Sequence, residues 1–403
     1  MNSILWERFL QDTSKLAKPA QAKQLISESE IDSIQELLIE VLRGFLAKHD
    51  IHIGLKVYIN KELRHEYLEK MIAQPPCKGQ SLEGWSKEIF GDQKFGMILI
   101  GLEEYSNAFA EKAAEIVRPL LQQAGMPLNG LSFLFFMGNY GFTPFGIHKE
   151  STGEDGILFH LGPGQKNFYT WDDPKYNGIA HNSEVFHNIQ EMMDSGEEYQ
   201  LKPGDAMFIP HYVYHVADTP DFSMSFVLDY INPPLDQFEN ELLQLAAEEN
   251  FQQHDSFGTP VQLEEPTGSL RDRIDVESIG KKLKMAFVRK ITALKSNGGI
   301  RRKSNLSQKQ IPISGNFRIQ GKKIFPILLD ETDPGRILLF ARGHRIPVKK
   351  TPGLSVFVEK LNSGDQLSFH AIQELLSTNW DLVDLYGLIQ DLLNTEAIQL
   401  DSF

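Results

Sequence analysis

Apolar positions recur at helical spacing over residues 31–48, where Ile31, Ile34, Leu37, Leu38, Val41, Leu42 and Phe45 predict one amphipathic helix. A second helix is expected over Glu103–Gln123, stopped by Gly125-Met126-Pro127. Ile51–Ile59 and Phe95–Ile100 read as strands. From about Leu131 to Tyr230 the texture changes. Short apolar and aromatic runs (Leu131–Met137, Ile157–Leu161, Asn167–Trp171, Tyr199–Leu201, Ala206–Ile209 and Ser223–Tyr230) alternate with Gly, Pro and Asp turns. Many short strands with such punctuation predict an antiparallel sandwich or barrel.

Asn232-Pro233-Pro234 closes the strand-rich part. Helices are expected over Asp236–Asn250 and Val276–Lys295, with a loop over His254–Gly268 between them. Asn297-Gly298-Gly299 to Ser314 reads as an exposed connector. The last stretch predicts a smaller unit: strands at Arg336–Ala341 and Arg345–Val348 about a turn at Gly343, helices at Ser355–Leu361, Ala371–Leu376 and Leu382–Leu393, and a closing strand at Ala397–Leu400. No internal repeat or low-complexity tract is present.

Composition narrows the function classes. No apolar run approaches the roughly 18 residues that span a bilayer, so no membrane partner is expected. The first residues lack the basic, then apolar, pattern of a secretory signal. The lone Cys77 excludes a disulfide framework within the chain and favours a reducing, cytoplasmic setting. Any metal must then be held by His and carboxylates. The net charge of −14 is unevenly spread, because thirteen Lys and Arg and no Asp or Glu fall between Lys281 and Lys323. That segment reads either as a face that docks on the acidic remainder or as a landing site for an acidic partner. Nucleic acid is disfavoured, since the rest of the chain would repel a long polyanion.

The chemistry concentrates at Thr143-Pro144-Phe145-Gly146-Ile147-His148-Lys149-Glu150. In a strand, residues two apart share a face, so His148 and Glu150 present an imidazole and a carboxylate to one ion. The third ligand is expected at His215, five residues beyond the turn-strand-turn Lys202-Pro203-Gly204-Asp205-Ala206-Met207-Phe208-Ile209-Pro210. Two His and one carboxylate leave coordination positions open, as in non-haem Fe(II) oxygenases. Lys166, sixteen residues after Glu150, would return beside the metal by a strand, a turn and a second strand. A buried lysine needs an anionic partner, which a dicarboxylic cosubstrate supplies. Tyr169 and Trp171 read as core, His160 as a packed sheet histidine and His211 as solvent-facing in a turn.

The segments Thr143–Tyr169 and Leu201–Tyr230 resemble the JmjC/cupin group of Fe(II)/2-oxoglutarate-dependent oxygenases. The likeness rests on the His148-x-Glu150…His215 triad and on Lys166 following His160-Leu161-Gly162. Thr143-Pro144 before the first ligand is similar to peptidyl hydroxylases of that group. The strand Ser225-Phe226-Val227-Leu228-Asp229-Tyr230 departs from the Asn-containing one usual there. The resemblance implies an α+β fold with a double-stranded β-helix core. Metal ligands would be His148, Glu150 and His215, which carry the catalysis. Lys166, with Thr143 and Ser225, would bind the cosubstrate 2-oxoglutarate.

The implied division is an N-terminal α/β extension (1–125), a catalytic core (126–235), a helical basic linker or dimerisation region (236–325) and a winged-helix-like unit (326–403). The order of a JmjC core, helices and a winged helix is similar to ribosomal oxygenases, which implies a homodimer. The expected activity is hydroxylation of a peptide or protein side chain. Hydroxylation of a free amino acid or small molecule, and a non-catalytic cupin-fold binding module, stand as alternatives.

Overall fold

The computed structural model describes residues 3–48, 54–173, 185–250, 260–273, 275–313, 315–333, 336–376 and 380–402. Helices α1 (Ser3–Asp12), α2 (Glu28–Ala47), α3 (Tyr67–Ala73), α4 (Leu82–Phe90) and α5 (Asn107–Ala124) come first, with strands β1 (Ala20–Ala22), β2 (Leu55–Ile59), β3 (Glu62–Leu63) and β4 (Phe95–Ile100) among them. The strand-rich part follows as β5 (Leu131–Gly138), β6 (Gly141–Phe142), β7 (Glu154–Pro163), β8 (Lys166–Trp171), β9 (Glu197–Leu201), β10 (Ala206–Ile209), β11 (Tyr214–Thr219) and β12 (Ser223–Ile231). Then come α6 (Leu235–Asn250) and α7 (Val276–Ser296). The last unit holds β13 (Phe317–Gly321), β14 (Leu328–Asp333), β15 (Arg336–Ala341), β16 (His344–Val348), α8 (Leu354–Ser363), β17 (Gln366–Ser368), α9 (Phe369–Leu376), α10 (Leu382–Asn394) and β18 (Ile398–Ser402).

The helix expected from residue 31 begins earlier, because Ser27 and Glu30 form a reciprocal capping box that fixes the first turn. Its apolar stripe, Ile31, Ile34, Leu38, Val41, Leu42 and Phe45, is buried against the sheet. Each such side chain contributes roughly 1.5–3 kcal/mol by leaving water. The second expected helix starts at Asn107 instead of Glu103, because Ser106 caps it and Leu102–Glu104 is a separate 3-10 turn.

The strands form a double-stranded β-helix. One antiparallel sheet runs β1-β10-β7-β12-β5-β4-β2-β3, and a second runs β6-β11-β8-β9. Extension strands β2 and β4 join the larger sheet beside β5, so the N-terminal part is built into the barrel wall. Residues of alternate parity on β2, β4, β5, β7, β8, β11 and β12 line one cavity between the sheets. The expected runs all lie within these strands. Strand β11 is additional: the residues about His215 had been read as a turn and a ligand.

The last unit has its own core, from Phe317 and Ile319 through Phe357, Leu361 and Ile372 to Leu388, Leu392 and Ile398. Its three helices and short antiparallel strands make the winged-helix-like arrangement. Ser355–Leu361 falls inside α8, and the closing strand begins at Ile398. The connector after α7 differs from its expected exposure. Ser296, Asn297, Ile300 and Ser304 are buried, and Ile300 bridges Leu131 where β4 ends. Of the loop expected over 254–268, residues 254–259 lie outside the described residues, as do 51–53 of the first strand and 314 of the connector.

Candidate metal centre

The His148 and His215 main chains exchange both hydrogen bonds, His148 N–H to the His215 carbonyl (3.1 Å) and His215 N–H to the His148 carbonyl (2.9 Å). This isolated antiparallel bridge sets the imidazoles side by side, ring centroids 4.3 Å apart. His148 thus lies in a two-residue bridge rather than the continuous strand expected, and Glu150 follows in irregular chain. The first ligand is delivered by a turn in which Gly146 N–H donates to the Thr143 carbonyl (2.9 Å). Gly146 has φ +84°, and a Cβ there would sit 2.6 Å from the Phe186 carbonyl oxygen, so only glycine fits.

Each imidazole is oriented from behind. Nδ1 of His148 donates to the Gly146 carbonyl (3.0 Å), and Nδ1 of His215 donates to the Val213 carbonyl (3.1 Å). Both Nε2 atoms therefore point at the Glu150 carboxylate, with Oε1 at 3.3 Å from His215 and 3.8 Å from His148. One ligand atom from each residue lies within 4.8 Å of the others. Phe145 meets His148 edge-on and Phe168 stacks on His215, which restricts ring rotation.

Burial, and then the charge of His215, push His148 down to about 4. Burial alone would raise Glu150, but its hydrogen bond from His215 and the charges of both histidines hold it at about 2. Near neutrality this is an N,N,O donor set with a neutral imidazole and an ionised carboxylate, the protonation state a divalent ion requires. Two nitrogens and one oxygen on one side, with the cavity opposite, fit an ion that keeps positions open for other ligands. Backbone acceptors behind the rings are the outer contacts that fix a metal-binding tautomer.

The cavity beside this trio has a volume of about 590 Å³. Lys166, at the start of β8, lies in its wall only 2% exposed. Its Nζ donates to Thr219 Oγ1 (3.0 Å) and Tyr140 Oη (3.2 Å). Among the described residues no carboxylate lies within ion-pair distance of it. Thr143 also lines the cavity, and its hydroxyl is tied to the Ala217 main chain (3.2 Å). Ser225 sits on the same strand face as Val227 and Asp229 but is fully buried, 3.4 Å from His160 Nδ1. It does not line the cavity among the described residues.

His160 is the packed sheet histidine expected. Its Nε2 donates to the Gly164 carbonyl (2.7 Å), and burial, then the Lys166 charge, push it down to about 4. His211 is not simply solvent-facing, since Asp155 accepts from both its main chain and Nδ1 (2.9 Å each). Trp171 is buried as expected, while Tyr169 is half-buried and donates to Glu198 (3.2 Å).

Other lining residues were not foreseen. Thr219, which accepts from Lys166 behind the lining, follows from His215 by strand alternation once β11 is known. Tyr140 comes from the β5–β6 turn, Glu154 and Asp229 from adjacent strands, Lys56 from β2, and Arg301 and Arg302 from the connector. Both arginines lie in the segment read from sequence as an exposed connector.

The fold is a double-stranded β-helix whose cavity is faced by His148, Glu150 and His215. No family model and no curated sequence matches the chain. Among solved structures it shares its fold with YcfD of Escherichia coli, at 12% identity over 100% of this chain and 98% of that one, with a TM-score of 0.55. A second YcfD structure, described as a ribosomal oxygenase in complex with cobalt and 2-oxoglutarate, aligns at 13% identity over 98% of each chain with a TM-score of 0.51.

Proposed function

We propose that this chain is an Fe(II)- and 2-oxoglutarate-dependent oxygenase that hydroxylates a side chain of a peptide or protein. The observation that carries the reading is Lys166: a buried ammonium held by two hydroxyl groups in the cavity that His148, Glu150 and His215 face. A buried cation without an anion is costly, so the pocket is built for an anion that arrives with the ligand. The E. coli protein of the same fold has been solved with 2-oxoglutarate and cobalt, an ion that stands in for iron.

His148, Glu150 and His215 hold the ion. When bound, it supplies the oxidising chemistry that couples decarboxylation of 2-oxoglutarate to hydroxylation. The chain's own residues bind, orient and exclude water. Lys166 grips the far carboxylate while Thr219 and Tyr140 fix its ammonium. Thr143 and the His160–Ser225 pair shape that end of the pocket. The apolar walls, Ile98, Leu134, Phe136, Leu158 and Val227, keep the remaining volume dry for one side chain.

The N-terminal extension (1–125) completes the barrel of the core (126–235), while the linker (236–325) and winged-helix-like unit (326–403) add substrate contacts. Exposed Leu243, Phe287 and Val288 on α6 and α7 support self-association as a homodimer. No helix among the described residues is long and apolar enough to cross a membrane, and with the exposed lone thiol of Cys77 this supports work in the cytoplasm. Hydroxylation of a free amino acid or small molecule is the nearest variant.

The test is incubation of the Fe(II)-loaded chain with 2-oxoglutarate and candidate peptides. The expected result is succinate together with a gain of one oxygen atom on a peptide. Succinate absent with every peptide, while iron is bound, would return the chain to a binding module.

A further inference from the structure

Among the described residues, six of the thirteen Lys and Arg of the basic run are committed to carboxylates. Lys281 pairs with Glu277 (2.9 Å), Lys290 with Glu241 (2.6 Å), Arg289 with Asp330 (3.0 Å) and Lys309 with Glu396 (3.8 Å). Lys322 contacts Glu111, and Arg302 contacts Glu104 and, at 3.5 Å, Glu103. All but the Lys281–Glu277 pair, which lies within α7, dock the segment on the acidic remainder. Arg301 is different. It is exposed and lines the metal cavity. Among the described residues it has no carboxylate within ion-pair distance; Glu241, which feels its charge, is already bonded to Lys290. Lys56, on β2, is likewise exposed, unpaired among the described residues and in the cavity lining.

The place of Arg301 is set by main chain. Its N–H donates to the Leu131 carbonyl (2.9 Å), extending the sheet beside β5 where β4 has ended. Asn297 Nδ2 holds the flanking carbonyls, those of Ile300 (3.1 Å) and Arg302 (2.6 Å). The last unit grips the same segment. Arg342, fully buried, donates from Nε to Asn297 Oδ1 (3.1 Å), Gly343 N–H donates to Ser296 Oγ (3.1 Å), and Ser304 Oγ donates to the Thr395 carbonyl (2.8 Å). A mobile surface arginine needs no such frame.

Further along the cavity wall the charge changes sign. Glu154 and Asp229 lie on β7 and β12, adjacent strands of the same wall; burial and the neighbouring carboxylates push Asp229 well above the ordinary carboxylate range, so Glu154 carries the negative charge there. A guest's carboxylate there would meet these groups and Glu150. At the rim it would meet Arg301 and Lys56.

We propose that Arg301, with Lys56, reads an acidic residue flanking the target residue of a peptide, at the rim of the metal pocket. The inference rests on the oxygenase reading for the word "target", but the rim contact itself is a binding event. Glu154 keeps the acidic residue out of the pocket and so sets the register. The winged-helix-like unit acts on recognition by holding the connector that carries Arg301.

The test is selection of a random dodecapeptide display library on the full chain loaded with cobalt(II) and 2-oxoglutarate. Asp and Glu should be enriched about threefold or more at one position, as expected for an exposed charge contact of modest strength. The enrichment should fade as salt rises and the Debye length falls to about 8 Å. Arg301→Glu should replace it with enrichment of Lys and Arg at that position. Lys56→Glu, on a separate element, should weaken it if the first variant fails to fold. Peptides selected without acidic preference, or a preference unchanged in both variants, would overturn the proposal, as would failure to enrich any peptide. Succinate formation by the unaltered chain is measured separately. Its absence would overturn the oxygenase reading and leave the rim contact standing or falling on the selection alone.

Discussion

Replacing Lys166 with Met tests the cosubstrate end of the site in two opposite directions. The methionine keeps most of the length of the side chain and removes the charge. In the wild type the ammonium is 2% exposed and held by two neutral oxygens, at 3.0 and 3.2 Å. Without cosubstrate that cation is only partly offset, by the Tyr140 ring and the more distant charge of Asp218, so Lys166→Met should unfold at the same or a higher temperature than the wild type. With cosubstrate, the wild type gains a charge-assisted contact of about 1.5–3 kcal/mol that methionine cannot make. At about 1.4 kcal/mol per factor of ten, 2-oxoglutarate affinity should fall roughly tenfold to more than a hundredfold. Saturation at a hundred times the dissociation constant stabilises the wild type by about 2.7 kcal/mol, so the order of melting temperatures should invert when metal and 2-oxoglutarate are added. The assay is thermal unfolding with cobalt(II), with and without 2-oxoglutarate, beside a titration of the cosubstrate. A variant that is less stable without ligand yet binds 2-oxoglutarate as the wild type does would make Lys166 structural and refute the reasoning.

Further predictions follow from other parts of the structure. His160 is held down to about 4, so above pH 6.5 neither folded nor unfolded chain protonates it and its contribution is fully present. As pH falls from 6.5 to about 4 the unfolded chain takes up a proton the native one refuses, costing up to about 3 kcal/mol. Denaturant titrations of His160→Gln should show a flatter acid limb than the wild type. Gly146→Ala should weaken metal binding, read by calorimetric titration with cobalt(II), because its Cβ cannot fit beside the Phe186 carbonyl at φ +84°. Asp330→Asn removes the carboxylate that accepts from the buried Arg289 and should destabilise the fold in urea unfolding by more than loss of the exposed pair Arg8–Asp12, which should contribute less than about 1 kcal/mol.

What the sequence disclosed was what local pattern controls. Alternating strands, the His148-x-Glu150 pair, His215 and Lys166 all follow from spacing and turns. Strand β11 escaped notice because the face that presents His215 and Ala217 to the cavity, with Thr219 beside Lys166, is a polar and small row where an ordinary strand would place apolar residues. The site's own chemistry erased the signal. Tyr140 was illegible for a different reason: it lies in a Gly-rich turn, and only its closeness to Lys166 gives it a role. Arg301 joins the pocket through a main-chain bridge to Leu131, a contact across far-separated segments that no local period encodes. The Gly298-Gly299 pair invites reading as an exposed connector. In the structure both glycines have positive φ and let the chain pass close to α5, where a Cβ at Gly299 would meet Leu121 at 2.8 Å.

The most direct measurement of the central claim is succinate produced from 2-oxoglutarate by the Fe(II)-loaded chain, compared with His215→Ala. The geometry predicts succinate from the wild type, dependent on iron, and none from the variant, whose metal content should fall with it. Equal metal binding in both proteins, or an iron-loaded wild type that forms no succinate with or without peptides, would contradict the assignment of His148, Glu150 and His215 as an oxygenase centre.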